Sequence, residues 1–165
     1  MARRTMRDSF TPSLLDRLTD EQPQYKRETS QGWSMSMHRY REAVLRDLRW
    51  LFNSARQTES HPMYQYSEIP TSVLNYGMRD FTGLSAGTVS RDAIEREVAE
   101  AIRRYEPRIL PETLSVVLVS TTEDLEQGRL VLELHGQLWA SPLPEHLQVK
   151  TEFQLESGVV LLTEL

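Results

Sequence analysis

No cysteine occurs in these 165 residues. Disulfides and thiolate metal sites are thereby excluded, and a reducing compartment suits the chain. Long hydrophobic runs are missing too. The longest, such as Val116 to Val119, have four residues, against the ~20 that a membrane-spanning helix needs. Arg3, Arg4 and Arg7 begin the chain with no apolar stretch behind them, so neither a signal peptide nor a membrane span is expected. Only two lysines are present, and no Walker loop, glycine-rich phosphate cradle or Gly-x-Ser-x-Gly elbow accompanies them.

Metal and hydrolase chemistry find little support. His38, His61, His135 and His146 show no His-x-x-x-His or His-x-x-Glu-His spacing, so a zinc site is not expected and each reads as surface or loop. A carboxylate pair could hydrolyse glycosides, and Glu68, Asp80 and Glu106 are the acids near turns. None stands in a visibly apolar stretch, so no catalytic residue, metal or cofactor is assigned.

What is present is charge, unevenly placed. The formal net charge is -5. Residues 1–50 hold ten Lys/Arg against seven Asp/Glu, whereas residues 111–165 hold two against nine. A basic front and an acidic back suit oriented protein contacts better than nucleic acid, because no basic stripe is interleaved with aromatics. With 39% hydrophobic residues and a mean hydropathy of -0.50, the chain is long enough for one domain with a real core, yet lean enough to complete its packing against other chains.

Periodicity places the elements. The first nine residues read as a disordered basic tip. Phe10, Leu14 and Leu18 then fall at i, i+4 and i+8 with Ser13 as a candidate N-cap, giving a short apolar helix that needs a surface to lie against. Residues 19–36 read as a polar linker whose end, with Trp33, Met35 and Met37, returns to packed structure. Residues 1–36 are thus expected to form a flexible arm with a docking helix, and residues 37–165 the main domain.

Tyr40, Val44, Leu48, Leu51 and Phe52 make one face of a helix over 37–55, with Arg39, Glu42, Arg46, Asp47 and Arg49 on its wet side. Pro70 starts a short helix over 71–76 that Gly77 ends in a left-handed cap, and glycines at 83 and 87 mark a further break. Ser90 caps a helix over 91–105 with Ile94, Val98, Ile102 and Tyr105 on its buried face. Beyond Pro111 the period falls to two. Strands are expected over 113–121, 129–138 and 149–155, and a turn at Ser157-Gly158 leads into a last run over 159–165. The predicted fold is α+β, in two layers: an antiparallel meander of three to four strands with two main helices packed on one face. Internal pairing is the default expectation for the last strand; an open edge is the alternative.

One corner stands out. Pro107 stops the helix, since it lacks an N–H and its ring collides with the preceding turn, and it holds Glu106 and Arg108 where helix gives way to strand. Opposite charges flanking a stiff residue suit a fixed bridge, inside the fold or to a partner. The plainer alternative is a helix end with two solvated charges.

Four stretches carry a likeness. They are Ser13-Leu-Leu-Asp-Arg-Leu18, Leu48-Arg-Trp-Leu-Phe-Asn53, the block from Ser72 through Asn75, Tyr76, Gly77 and Phe81 to Ser85, and Ala101-Ile-Arg-Arg-Tyr-Glu-Pro-Arg108. Together, over residues 13–155, the chain resembles the baseplate wedge family of contractile injection machines, most closely the TssE-type subunits of bacterial type VI secretion. Arg79 stands where that family usually has proline, and residues 25–36 have no clear counterpart.

The resemblance implies a structural role in a cytoplasmic baseplate docked to an inner-membrane complex. The implied partners are the wedge subunits TssF, TssG and TssK and the sheath proteins TssB and TssC, with no nucleic acid, cofactor or membrane insertion. It implies that Glu106, Pro107 and Arg108 form a partner-contact motif, with further contacts from Leu14, Leu15 and Leu18 and from Asn75, Tyr76, Gly77 and Phe81. Some members of the family carry a lysozyme-like label, so a peptidoglycan hydrolase remains one alternative and a free-standing protein-binding adaptor another.

Overall fold

A computed structural model describes residues 10–19, 23–24, 35–83, 90–140 and 143–165. The expected basic tip, most of the linker with Trp33, and the second break beyond Gly83 lie outside the described residues.

Among the described residues, four α-helices and four strands follow in the order α1 (Leu14–Leu18), α2 (Met37–Phe52), α3 (Arg91–Tyr105), β1 (Ser115–Leu118), α4 (Thr122–Glu126), β2 (Arg129–Leu138), β3 (Glu145–Gln154) and β4 (Val160–Glu164). The strands form one antiparallel sheet in the order β1-β2-β3-β4. Its period of two sets the layers. Leu130, Phe153 and Val160 align across three strands, as do Leu132, Thr151 and Leu162. This face meets Val44, Leu48, Leu51 and Phe52 of α2 and Ile94, Val98 and Ile102 of α3 in a single core. The two-layer α+β fold expected from the sequence is thus present, with both long helices on one side of a four-stranded sheet.

The long helices begin as the sequence predicts. Ser36 and Ser90 accept hydrogen bonds from the backbone of Arg39 and Ala93, and Arg103 and Arg104 lie in the last turn of α3, where the helix dipole favours cations. Between β1 and β2 the chain adds α4, which the sequence reading passes over. A capping box between Thr121 and Asp124 starts this one-turn helix.

Three expectations need correction. Phe10 is not on a helical stripe: it lies ahead of α1, pairs with Met35 through both backbone hydrogen bonds (3.2 and 3.0 Å) and stacks on Tyr40 with ring centroids 4.7 Å apart. Phe10 and Met35 are therefore core residues, packed with α2 and the sheet. Residues 71–76 form two tight 3-10 turns, Ile69–Thr71 and Val73–Asn75, rather than one short helix. Gly77 follows at φ 129°, where a Cβ would stand 2.3 Å from the carbonyl oxygen of Ser54. Close backbone approach, not a helix cap, fixes glycine there. Finally, among the described residues β4 pairs only with β3 and is a sheet edge.

Candidate partner-binding site

The Glu-Pro-Arg corner is built from the end of α3. Glu106 is the C-cap, donating its backbone N–H to Ile102 O at 2.8 Å, and its side chain is only 3% exposed. A buried carboxylate needs a partner. Arg108 supplies it in a fork: Nε donates to Oε1 at 2.7 Å and Nη2 donates to Oε2, while the backbone N–H of Arg108 adds a third bond to Oε1 at 3.1 Å. Two residues apart with a proline between them, the pair closes a small ring on itself.

The next link is Asp47 of α2, whose Oδ2 accepts from Arg108 Nη2 at 2.6 Å. Asp47 also accepts from Arg46 Nε at 2.9 Å, and Arg46 in turn donates through Nη1 to Asp16 of α1. An alternating chain of five charges, Glu106, Arg108, Asp47, Arg46 and Asp16, thus joins corner to arm. Burial alone would lower the Arg108 pKa; the hydrogen bond and charge of Glu106, followed by those of Asp47, outweigh it and hold the guanidinium charged more firmly than usual. Asp16 shows the mirror pattern. Burial pushes its carboxyl up, but bonds from Arg46 and Ser13 overcome that and leave it below the ordinary carboxylate range.

The backbone stitches the corner to the sheet. Leu110 N–H donates to Gln137 O at 2.8 Å and Trp139 N–H to Arg108 O at 2.7 Å. Ile109 packs over Gly136, where an added Cβ would come within 3.1 Å of Ile109 Cγ2. The corner therefore sits on the end of β2 with Pro107 exposed and Arg108 partly exposed.

The arm presents the opposite surface. Leu14, Leu15 and Leu18 are 69, 43 and 75% exposed, and α1 buries none of its residues. Ser13 caps it, Asp16 tethers it to Arg46, and Phe10 anchors the chain just before it. Arg46 also lies 5.0 Å over the ring of Trp50, which is half exposed.

The turn block lies mainly inward. Asn75 is 2% exposed; its side chain accepts from Gln57 N–H at 3.0 Å and donates to Tyr64 Oη at 3.0 Å and Pro70 O at 3.3 Å. Gly77 is buried. Phe81 packs edge-on against Phe153 at 5.5 Å. Tyr76 is half-buried and meets Tyr105 edge-to-face at 5.1 Å, while Tyr105 Oη donates to Ser72 O and Asn75 O. These residues brace the block against the end of α3, and what they can offer a partner is the shape of the surface they support.

The charged chain could not be read in full from the sequence. Arg46 and Asp47 read as the wet side of α2, and only their position beside the buried stripe hinted at more; the Asp47–Arg108 bond spans 61 residues. Among the candidate acids, Glu68 and Asp80 are exposed, and Asp80 Oδ1 accepts the backbone N–H of Thr82 at 2.8 Å. Among the described residues no group of three or more His, Asp or Glu side chains could hold a metal ion, and no helix is long and apolar enough to cross a membrane.

Comparison with known proteins adds the following. The sequence profile of a family described as baseplate wedge protein gp25 matches residues 38–143, a stretch that includes all but the first residue of α2, the turn block, α3, the Glu-Pro-Arg corner and β2. A crystal structure from Geobacter sulfurreducens, provisionally named a tail lysozyme, is similar in fold with a TM-score of 0.50 and 20% identity over 74% of this chain and 96% of that one. The comparison with curated proteins gave no match.

Proposed function

The chain belongs to the baseplate wedge protein gp25 family, and from that membership we propose that it is a structural baseplate subunit of a bacterial type VI secretion machine. In this reading it binds the other wedge subunits, TssF, TssG and TssK, and forms the platform on which a sheath of TssB and TssC begins to polymerise, on the cytoplasmic side of an inner-membrane complex. The observation that carries the proposal is the match over residues 38–143, which contains the Glu-Pro-Arg corner.

The site's geometry supports a division of labour. Arg108, Pro107 and Glu106 present a fixed charge to a partner, Arg108 Nη1 being the guanidinium nitrogen that the internal fork leaves available. Leu14, Leu15 and Leu18 offer a partner the apolar face of a short helix. Asn75, Tyr76, Gly77 and Phe81 give shape to the surface beside the corner. The edge of β4 would receive a strand from the sheath.

A hydrolase is the second reading, favoured only by the name of the Geobacter sulfurreducens structure. Glu106 is committed to Arg108, Glu68 stands in the open, and Asp80, although it lines a small cleft with Phe81 and Thr82, is exposed and accepts the backbone N–H of Thr82, so none has the dry setting that would tune a general acid. One experiment separates the readings. The chain is co-expressed with the wedge subunits of its own secretion cluster and fractionated by size, and the same preparation is incubated with peptidoglycan. Co-elution without muropeptide release is expected; muropeptide release abolished by Glu106→Gln or Glu68→Gln would favour the hydrolase, and a folded monomer inert in both assays would favour a free-standing adaptor.

A further inference from the structure

The two edges of the sheet are not left bare. The backbone bonds Gln154 N–H to Val159 O and Leu165 N–H to Gln148 O fix which residues of β4 turn towards β3. In an antiparallel ladder these alternate, so Val160, Leu162 and Glu164 turn their backbone groups outward. At Val160 that outward pair is already occupied. Asn53 Oδ1 accepts the Val160 N–H at 3.0 Å, and Asn53 Nδ2 donates to the Val160 carbonyl at 3.0 Å. A carboxamide has one acceptor and one donor side by side, so the side chain does for Val160 what a peptide unit of a neighbouring strand would do.

Asn53 is well placed for this. It is the C-cap of α2, its backbone N–H bonds to Arg49 O, and Nδ2 also donates to Arg49 O at 2.8 Å. The preceding Phe52 is buried 5.8 Å from Phe153, which pins the helix end over the β3–β4 hairpin. Further along the edge, Arg41 of α2 holds the Glu164 side chain, but no described residue pairs with the outward backbone groups of Leu162 or Glu164. The opposite edge is closed differently. There Glu95 Oε1 accepts the Leu118 N–H at 2.8 Å and, having no donor of its own when ionised, leaves the Leu118 carbonyl unanswered.

We propose that Asn53 is a register stop: it fills the Val160 rung of the β4 edge and confines an incoming strand to the Leu162 and Glu164 rungs. An incoming strand whose end abuts this stop is held in one register, and because a one-residue slip turns every side chain to the other face, its side chains are then assigned to their layers. The occupant is an extended segment rich in basic residues, since residues 111–165 carry nine acidic side chains against two basic ones. This inference rests on the sheath-platform reading given above and adds the residue that sets its register.

The test is hydrogen–deuterium exchange read at single residues, on the whole chain alone and on its complex with the co-expressed sheath proteins. In the free wild type the Val160 amide should exchange at least about tenfold more slowly than those of Leu162 and Glu164, and Asn53→Ala should abolish that difference while leaving Leu132 and Val149 in the core unchanged. Asn53→Asp, which can accept but not donate, is the near-isosteric check. In the wild-type complex, Leu162 and Glu164 should become protected with no change at Val160; in the Asn53→Ala complex, protection should extend to Val160. Protection at Leu162 and Glu164 with Val160 remaining fast in the Asn53→Ala complex would overturn the register stop while leaving strand addition intact. No added protection anywhere on β4 would overturn strand addition itself, and the stop with it.

Discussion

The Glu-Pro-Arg corner and the leucine face of α1 are connected through Asp47, Arg46 and Asp16, yet they are opposite kinds of surface. The corner is polar and nearly closed: Glu106 is 3% exposed and its carboxylate is spent on Arg108. The leucine face is apolar and open, with Leu14 and Leu18 about as exposed as side chains become on a folded surface. A charge motif that satisfies itself sets the geometry of the chain, whereas an apolar face that no described residue covers asks for a partner. Residues proposed for one interface can therefore differ in what they would offer a partner, the corner a charge fixed in place and the leucine face an open apolar area.

That contrast can be broken most severely at the corner. Glu106→Ala leaves a part-buried Arg108 with Asp47 as its remaining carboxylate, and should cost about 3–5 kcal/mol of folding stability, read by urea denaturation. A loss under ~1 kcal/mol would mean that the corner is solvated and that its contrast with the arm is false. Phe10→Ala comes next. It removes a buried ring and its stack on Tyr40, and should cost about 3 kcal/mol, which would mark the anchor of the arm as core rather than tether. Unchanged stability would return residues before α1 to the flexible arm expected from the sequence.

A smaller effect tests the link between the two regions. Because the Asp16 carboxyl is held below its usual range in the folded chain, the stability it contributes is present above the unfolded value of ~3.9 and is lost as pH falls through the lower folded value. Asp16→Asn should flatten that acid limb by under ~1 kcal/mol, as befits a pair near the surface, and proton titration of Asp16 by NMR should show the depressed value directly. The smallest expected change in stability comes from Leu14→Ala with Leu18→Ala. These remove exposed side chains, so the unfolding midpoint should move by no more than ~0.5 kcal/mol in equivalent free energy.

How much of this was legible in the sequence depended on range. Local chemistry read well: Ser90 as a cap, Pro107 as a stop, and the alternation of Leu130, Leu132 and Leu134 all carry their signal within a few residues. Helix α4 escaped because a one-turn element has no period to detect, although its Thr121/Asp124 capping box was there to be read. Gly77 read as a helix cap, since sequence shows that a glycine is needed but not what requires it; here a positive φ and the close approach of the Ser54 carbonyl both do. Long-range pairings were the hardest. Nothing local marks Asp47 as the partner of Arg108 across 61 residues, or Asn53 as the partner of Val160 across 107. Phe10 sat at a helical spacing from Leu14 by coincidence, and its true neighbour Met35 lies beyond a polar stretch.

The central claim is that this wedge-family chain docks on its baseplate partners through an open apolar face held in place by a closed charged corner. The most direct test is co-elution of the Leu14→Ala/Leu18→Ala variant with the co-expressed wedge subunits, measured beside its thermal unfolding. The account predicts an unfolding temperature within ~2 °C of wild type and loss of co-elution. A variant equally stable that still co-elutes as wild type does would contradict it.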